Sequence, residues 1–211
     1  MPFAFQIRSS ASQDRLEKLI EERLKPGANK DQIDLRIWDL FGEEWAVMFT
    51  DLAGFSRRVA EFGIIHFLQI IYESQRLLVP CIDEHDGILV KLEGDSMLVL
   101  FRKPQKAVEC AVHMQGILKT YNVDRPDTEK ILLCVGLGFG KVLKIGDDDV
   151  FGAEVNAAGK LGEDTAKAWE ILVTGSLKEA VMDLEGIRFE KIDTIPPGAS
   201  SAHRLIYSLE K

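Results

Sequence analysis

Phe49-Thr50-Asp51-Leu52-Ala53-Gly54-Phe55-Ser56 reads as a buried strand that hands a carboxylate to a turn and then to a helix. The apolar run 45–50 supplies the strand, Gly54 lets the backbone turn, and Ser56 can open the helix. That order sets Asp51 beside open backbone N–H groups at a helix N-terminus, an arrangement suited to a metal-bound polyphosphate. Asp and Ser in these places also serve ordinary turn and capping duty, so the stretch alone leaves both readings open.

Working downstream, a long helical pattern covers 56–84, with a break expected near Gly63. Two apolar runs, 88–92 and 97–101, joined by Glu93-Gly94-Asp95, read as a β-hairpin. Pro104 opens a helix with Ala107, Val108, Ala111, Met114 and Leu118 on one face. Residues 131–145 read as strand, ending in turn chemistry at Gly146-Asp147-Asp148. Then come a helix over 155–168, a strand over 171–173, a short helix and two strands around 187–192 and 203–207. The order β-α-β-β-α-β predicts an α+β fold, a ferredoxin-like βαββαβ sandwich with extra C-terminal strands.

Upstream, Ser12 caps a helix through 14–25 that stops at Pro26-Gly27. A second helical pattern, Ile33, Ile37, Leu40 and Phe41, stops at Gly42. We therefore expect an N-terminal helical segment, 1–42, that docks on the main domain or contacts a second subunit, followed by the main domain, 43–211.

Composition narrows the function. The chain has 211 residues, 46% hydrophobic and 28% charged, the balance of a globular rather than a disordered protein. A net charge of −8 excludes a broad phosphate-neutralising surface for nucleic acid. Cys81, Cys110 and Cys134 are far apart in apolar runs and read as buried reduced thiols. The four histidines form no HxxxH or HxH pair. No apolar stretch has the length of a membrane span and no secretory pattern opens the chain, so a cytoplasmic location is expected.

Two further stretches carry candidate chemistry. Lys91-Leu92-Glu93-Gly94-Asp95 puts a second acid at a tight turn. Its lysine alternates with Val90 and Leu92 and so leaves the strand on the opposite face from theirs. Asp149-Val150-Phe151-Gly152-Ala153-Glu154-Val155-Asn156-Ala157-Ala158-Gly159-Lys160 places Asn156 and Lys160 one helical turn apart on one face. A turn acid and an exposed polar stripe would account for both without any ligand. Gly136, Gly138 and Gly140 alternate along a strand and strip one face of side chains, which points to close approach by another backbone, a partner subunit or a ligand.

The order and spacing of these three stretches resemble the class III adenylyl/guanylyl cyclase catalytic domain over roughly residues 43–208. The resemblance implies the class III nucleotidyl cyclase fold. It also implies two Mg²⁺ or Mn²⁺ ions held by Asp51 and Asp95, with the Leu52 carbonyl as a backbone ligand. Lys91 and Asp149 fall on the adenine-selecting pair, a donor and an acceptor that guanine would mispair. Asn156 falls on the transition-state asparagine, and the Gly54-Phe55-Ser56 turn would help hold the phosphates. The implied reaction is in-line attack of the ribose 3′-OH of ATP on the α-phosphate, giving cyclic AMP and pyrophosphate. The family's sites lie between two catalytic domains, so a homodimer is expected.

One position departs from the family pattern. Lys160 stands where the family has a transition-state arginine, keeping the charge and losing the planar fork. That substitution supports slow turnover, or an alternative in which an impaired cyclase-like domain serves as a nucleotide-binding or regulatory dimerisation module. Gly138 also departs, from a histidine. Lys141, Lys144 and Lys191 are candidates for the γ-phosphate cation.

Overall fold

Strand β1 (Gly42–Leu52) is apolar on both faces because both faces are covered. Trp45 and Val47 point to one side, Ala46 and Met48 to the other, and none is more than 2% exposed. This computed structural model describes residues 11–54 and 61–209. β1 runs longer than the apolar segment 45–50, because Gly42, Glu43 and Glu44 continue the ladder opposite Leu143, Val142 and Lys141.

Helix α3 (Ile64–Glu84) follows, entered through Gly63 at φ 84°, which accounts for the expected break there. Strands β2 (Ile88–Glu93) and β3 (Ser96–Phe101) form the hairpin, α4 (Pro104–Tyr121) crosses back, and β4 (Leu133–Ile145) completes the unit. β3 and β4 flank β1, both antiparallel, giving the order β2-β3-β1-β4 of a ferredoxin-like βαββαβ core. The C-terminal strands β6 (Ile171–Thr174), β8 (Ala202–Tyr207) and β7 (Ile187–Ile192) extend the same sheet beyond β4, with helix α6 (Gly175–Ala180) after β6. Three residues not read as strand in the sequence, Asp149–Phe151, form β5 against the end of β4.

The sheet separates two cores. On one face α3 and α4 cover Met48, Val99, Phe101, Val135 and Leu137. On the other, helix α5 (Ala153–Gly159) covers Trp45, Val47, Leu98 and Leu100 through Val155 and Ala158.

The helix expected over 155–168 is shorter and changes form. α5 ends at Gly159, and Lys160–Thr165 continues as a π-helical turn, closed by the Ala166 N–H donating to the Leu161 carbonyl at 2.8 Å. Close packing on β4 is the physical reason. A Cβ at Gly136 would stand 2.1 Å from the Ala158 carbonyl oxygen and 2.3 Å from the Gly162 nitrogen. A Cβ at Gly138 would meet the Glu154 carbonyl and carboxylate oxygens at 2.8 Å. The glycine stripe is therefore a bed for α5, and the approaching backbone belongs to this chain.

At the N-terminus, α1 (Ala11–Leu24) and α2 (Lys30–Phe41) form a hairpin whose Leu19, Ile33, Ile37 and Phe41 pack on Ile145 of β4. Burying four such side chains contributes roughly 1.5–3 kcal/mol each. The ion pairs Arg23–Asp34 and Arg36–Glu22 stand half in solvent, where such pairs add about 0–1 kcal/mol. Those pairs tie α1 to α2, and apolar burial docks the hairpin on the domain.

Candidate functional site

Asp51 occupies the penultimate position of β1, on the face carrying Trp45, Val47 and Phe49. The β1–β3 register runs to Thr50 opposite Met97, so Asp51 stands beside the β2–β3 turn that carries Asp95 and Ser96. Gly94, at φ 60°, makes that turn possible. The Ser96 hydroxyl donates to Asp51 Oδ1 at 3.3 Å. The two carboxyl groups interact directly. Burial first, and then the Asp95 charge, push the Asp51 carboxyl up to about 7. Burial also raises Asp95, opposed by hydrogen bonds from backbone N–H groups and from Asp51.

Asp95 Oδ2 is buried without a hydrogen-bond partner. A buried acceptor with no donor, next to a second carboxylate, is costly as it stands and is what a cation would relieve. The donors are hard oxygens, which match Mg²⁺ or Mn²⁺ rather than softer ions. The residues fit a divalent metal.

Lys91 and Asp149 also meet, with Nζ and Oδ2 2.8 Å apart. The strict alternation expected around Lys91 does not hold. β2 pairing skips Val90, a bulge that lets Val90 pack in the α5-side core while Lys91 stands opposite Leu98 of that same core. The bulge thus places Lys91 on the face that bears Asp51. Asn156 and Lys160 project from the exposed side of α5, while Glu154, Val155, Ala157 and Ala158 are buried beneath. Lys160 Nζ lies 2.5 Å from Asp164 Oδ2. Gly54 sits in the turn after β1 at φ 83°. Phe55 and Ser56 lie outside the described residues.

Of the three lysines considered for the γ-phosphate, Lys144 is engaged by Asp147 and the Gly146 carbonyl. Lys191 is on β7, four strands from β1, about 19 Å away at the usual strand spacing. Within one chain it is out of reach.

The sequence profile of the adenylate and guanylate cyclase catalytic domain matches residues 42–206. The chain belongs to this family. Its cyclase domain is 33% identical over 134 residues to the serine/threonine-protein kinase pkn2 of Myxococcus xanthus, covering 64% of this chain and 16% of that one. It spans no more than 34% of the length of the other curated relatives it matches. The crystal structure of an adenylate/guanylate cyclase/hydrolase from Silicibacter pomeroyi superposes with a TM-score of 0.69 at 25% identity, covering 79% of this chain and 98% of that one. The guanylyl cyclase Cya2 superposes at 0.62 with 20% identity over 79% of this chain and 93% of its own, a likeness of fold.

Two further residues of this cyclase domain stand beside the aspartates. Ser96 donates to Asp51 and lies close to Glu163, whose charge in turn raises Asp51. Ser96 follows Asp95 directly and was legible by adjacency. Glu163 was not, because only the π-helical turn sets it against the β2–β3 turn.

Proposed function

We propose that this domain, residues 43–211, is an adenylate cyclase that converts ATP to 3′,5′-cyclic AMP and pyrophosphate as a cytoplasmic homodimer. One observation carries the reading: Asp51 and Asp95, distant in sequence, meet with a buried carboxylate oxygen left unpartnered. Asp51 and Asp95, with the Leu52 carbonyl, would hold two Mg²⁺ or Mn²⁺ ions. When bound, those ions supply acidification of the ribose 3′-hydroxyl and neutralisation of the triphosphate.

The chain's own residues do the rest. Lys91 donates to, and Asp149 accepts from, the N1 and N6 edge of adenine, after exchanging their mutual ion pair for the base. Asn156 orients the ribose for in-line attack, and Lys160 offers positive charge to the phosphate as pyrophosphate leaves. The backbone at Gly54, Phe55 and Ser56 positions the phosphates. Leu92 and Phe151, 46% and 50% exposed, flank the Lys91–Asp149 pair and supply apolar surface for a second subunit.

A second reading, an impaired domain that binds nucleotide and regulates, is favoured by the Lys160–Asp164 ion pair. That contact pairs the lysine at the arginine position with an acid on the same helical turn. Incubation with ATP or GTP and Mn²⁺, with both cyclic nucleotide and pyrophosphate measured, separates the readings. Cyclic AMP in excess supports the proposal, cyclic GMP in excess overturns the base assignment, and no product at high enzyme concentration supports the regulatory reading.

A further inference from the structure

A second cluster of metal-ligating side chains lies on the helical face of the sheet. Cys81 sits in the last turn of α3, His85 caps that helix one turn later, and His113 comes from α4. A donor atom from each lies within 4.8 Å of the other two. Cys81 is 1% exposed, His85 half-buried and His113 exposed, so a thiol floors the cluster and imidazoles form its rim. The two rings stand 5.2 Å apart. Glu84 reaches over the same rim, its Oε2 3.8 Å from His113 Nδ1.

Donors around a tetrahedral zinc ion, at about 2.0–2.3 Å from the metal, stand roughly 3.5 Å from one another. The cluster must close by about 1 Å, a movement within the reach of the exposed His113 side chain. His85 Nδ1 lies 2.9 Å from the Cys81 carbonyl, a contact that fixes the ring plane before any ion arrives. Cys110 packs against Cys81 with its thiol directed at the Cys81 carbonyl at 3.7 Å. The Cys81 contact and burial push the Cys110 thiol up, and the Cys81 thiol is directed in turn at the Cys110 carbonyl at 3.9 Å.

We propose that Cys81, His85 and His113, with water at the exposed fourth position, form a zinc site that staples α3 to α4. One thiolate with two imidazoles selects zinc over the hard ions suited to Asp51 and Asp95. Binding releases the Cys81 proton to solvent. The site lies across the sheet from those carboxylates and does not depend on the catalytic reading.

The test uses the full chain, stripped of metal and kept in a non-chelating reductant, titrated with Co²⁺ as a spectroscopic probe. We expect a near-ultraviolet thiolate-to-cobalt charge-transfer band, bleached by one equivalent of Zn²⁺, and a higher Tm with zinc. Cys81→Ser abolishes the band. Cys134→Ser keeps it, although Cys134 pairs with Asp51 across the β1–β4 ladder. His113→Ala, an exposed change that leaves the core intact, weakens cobalt binding at least tenfold. No band in the wild-type chain, a band that follows Cys134, or unchanged affinity in His113→Ala overturns the site.

Discussion

The two faces of the sheet place titratable groups in opposite ways. On the α5 face, two carboxylates are forced together at the end of β1 and the β2–β3 turn, and burial raises both. On the α3–α4 face, a thiol and two imidazoles gather from the C-terminal end of α3 and the middle of α4, with a carboxylate at the rim. The first arrangement is strained without a cation, since like charges share a site and an acceptor is orphaned. The second is satisfied without one, because His85 and Cys110 already bond to backbone. An empty strained site draws hard ions strongly, whereas a satisfied one needs a soft ion to displace existing contacts.

Removing a carboxylate from the strained face should have the largest effect. Asp51→Ala or Asp95→Ala should lower cyclase turnover by about a thousandfold or more, the scale of losing a main electrostatic group, while circular dichroism shows a folded chain. Wild-type turnover in either variant would break the comparison by removing the need for that acid. Asp51→Asn should also leave the cobalt–thiolate band unchanged, since the two faces are separate.

Lys91→Ala tests the proposed base-reading pair on the same face. We expect kcat/KM for ATP to fall about 10–150-fold, the scale of one lost hydrogen bond from a charged group, with a smaller change for GTP. An equal loss for both nucleotides would make Lys91 a structural partner of Asp149 and no more. Lys160→Arg should raise kcat several-fold, more than it lowers KM, because the fork can hold two phosphate oxygens. An unchanged rate would show that the pocket is built around the lysine.

The smallest effect is on pH-dependent stability. The folded Asp51 carboxyl lies at about 7, above its unfolded value of 3.8. Its contribution is fully present below the unfolded value and is lost as pH rises through 7. Metal-free protein should therefore lose Tm between pH 5.5 and 7.5 in a way that Asp51→Asn does not. Added Mn²⁺ should restore more Tm at pH 8 than at pH 6, where it must displace the proton. Equal slopes for both chains would place the proton elsewhere.

Much of this was legible in the chain. The alternation of apolar and turn residues yields the βαββαβ order, and glycines at 136, 138 and 140 announce a backbone approach that the structure assigns to α5. Asp51 and Asp95 are readable because one stands at the end of a strand before a glycine turn and the other follows a glycine in a hairpin turn. What escaped has local causes. β5 is three residues long, too short for a period-two pattern to register. The Val90 bulge redirects Lys91 through a pairing slip that alternation cannot express. Cys81 and His85, one helical turn apart, read as an ordinary buried helix end, and His113 joins them only through helix packing.

The π-helical turn has a consequence for how the domain tolerates change. Relative to an unbroken α-helix it holds one surplus residue, which offsets everything beyond it by about 100° around the axis. Deleting one residue between Lys160 and Thr165 would let the segment rewind. Glu163 would then swing away from Ser96, and the field felt by Asp51 would soften, with no acid mutated. Insertions and deletions in this short stretch thus become a tuning dial for the carboxylate centre.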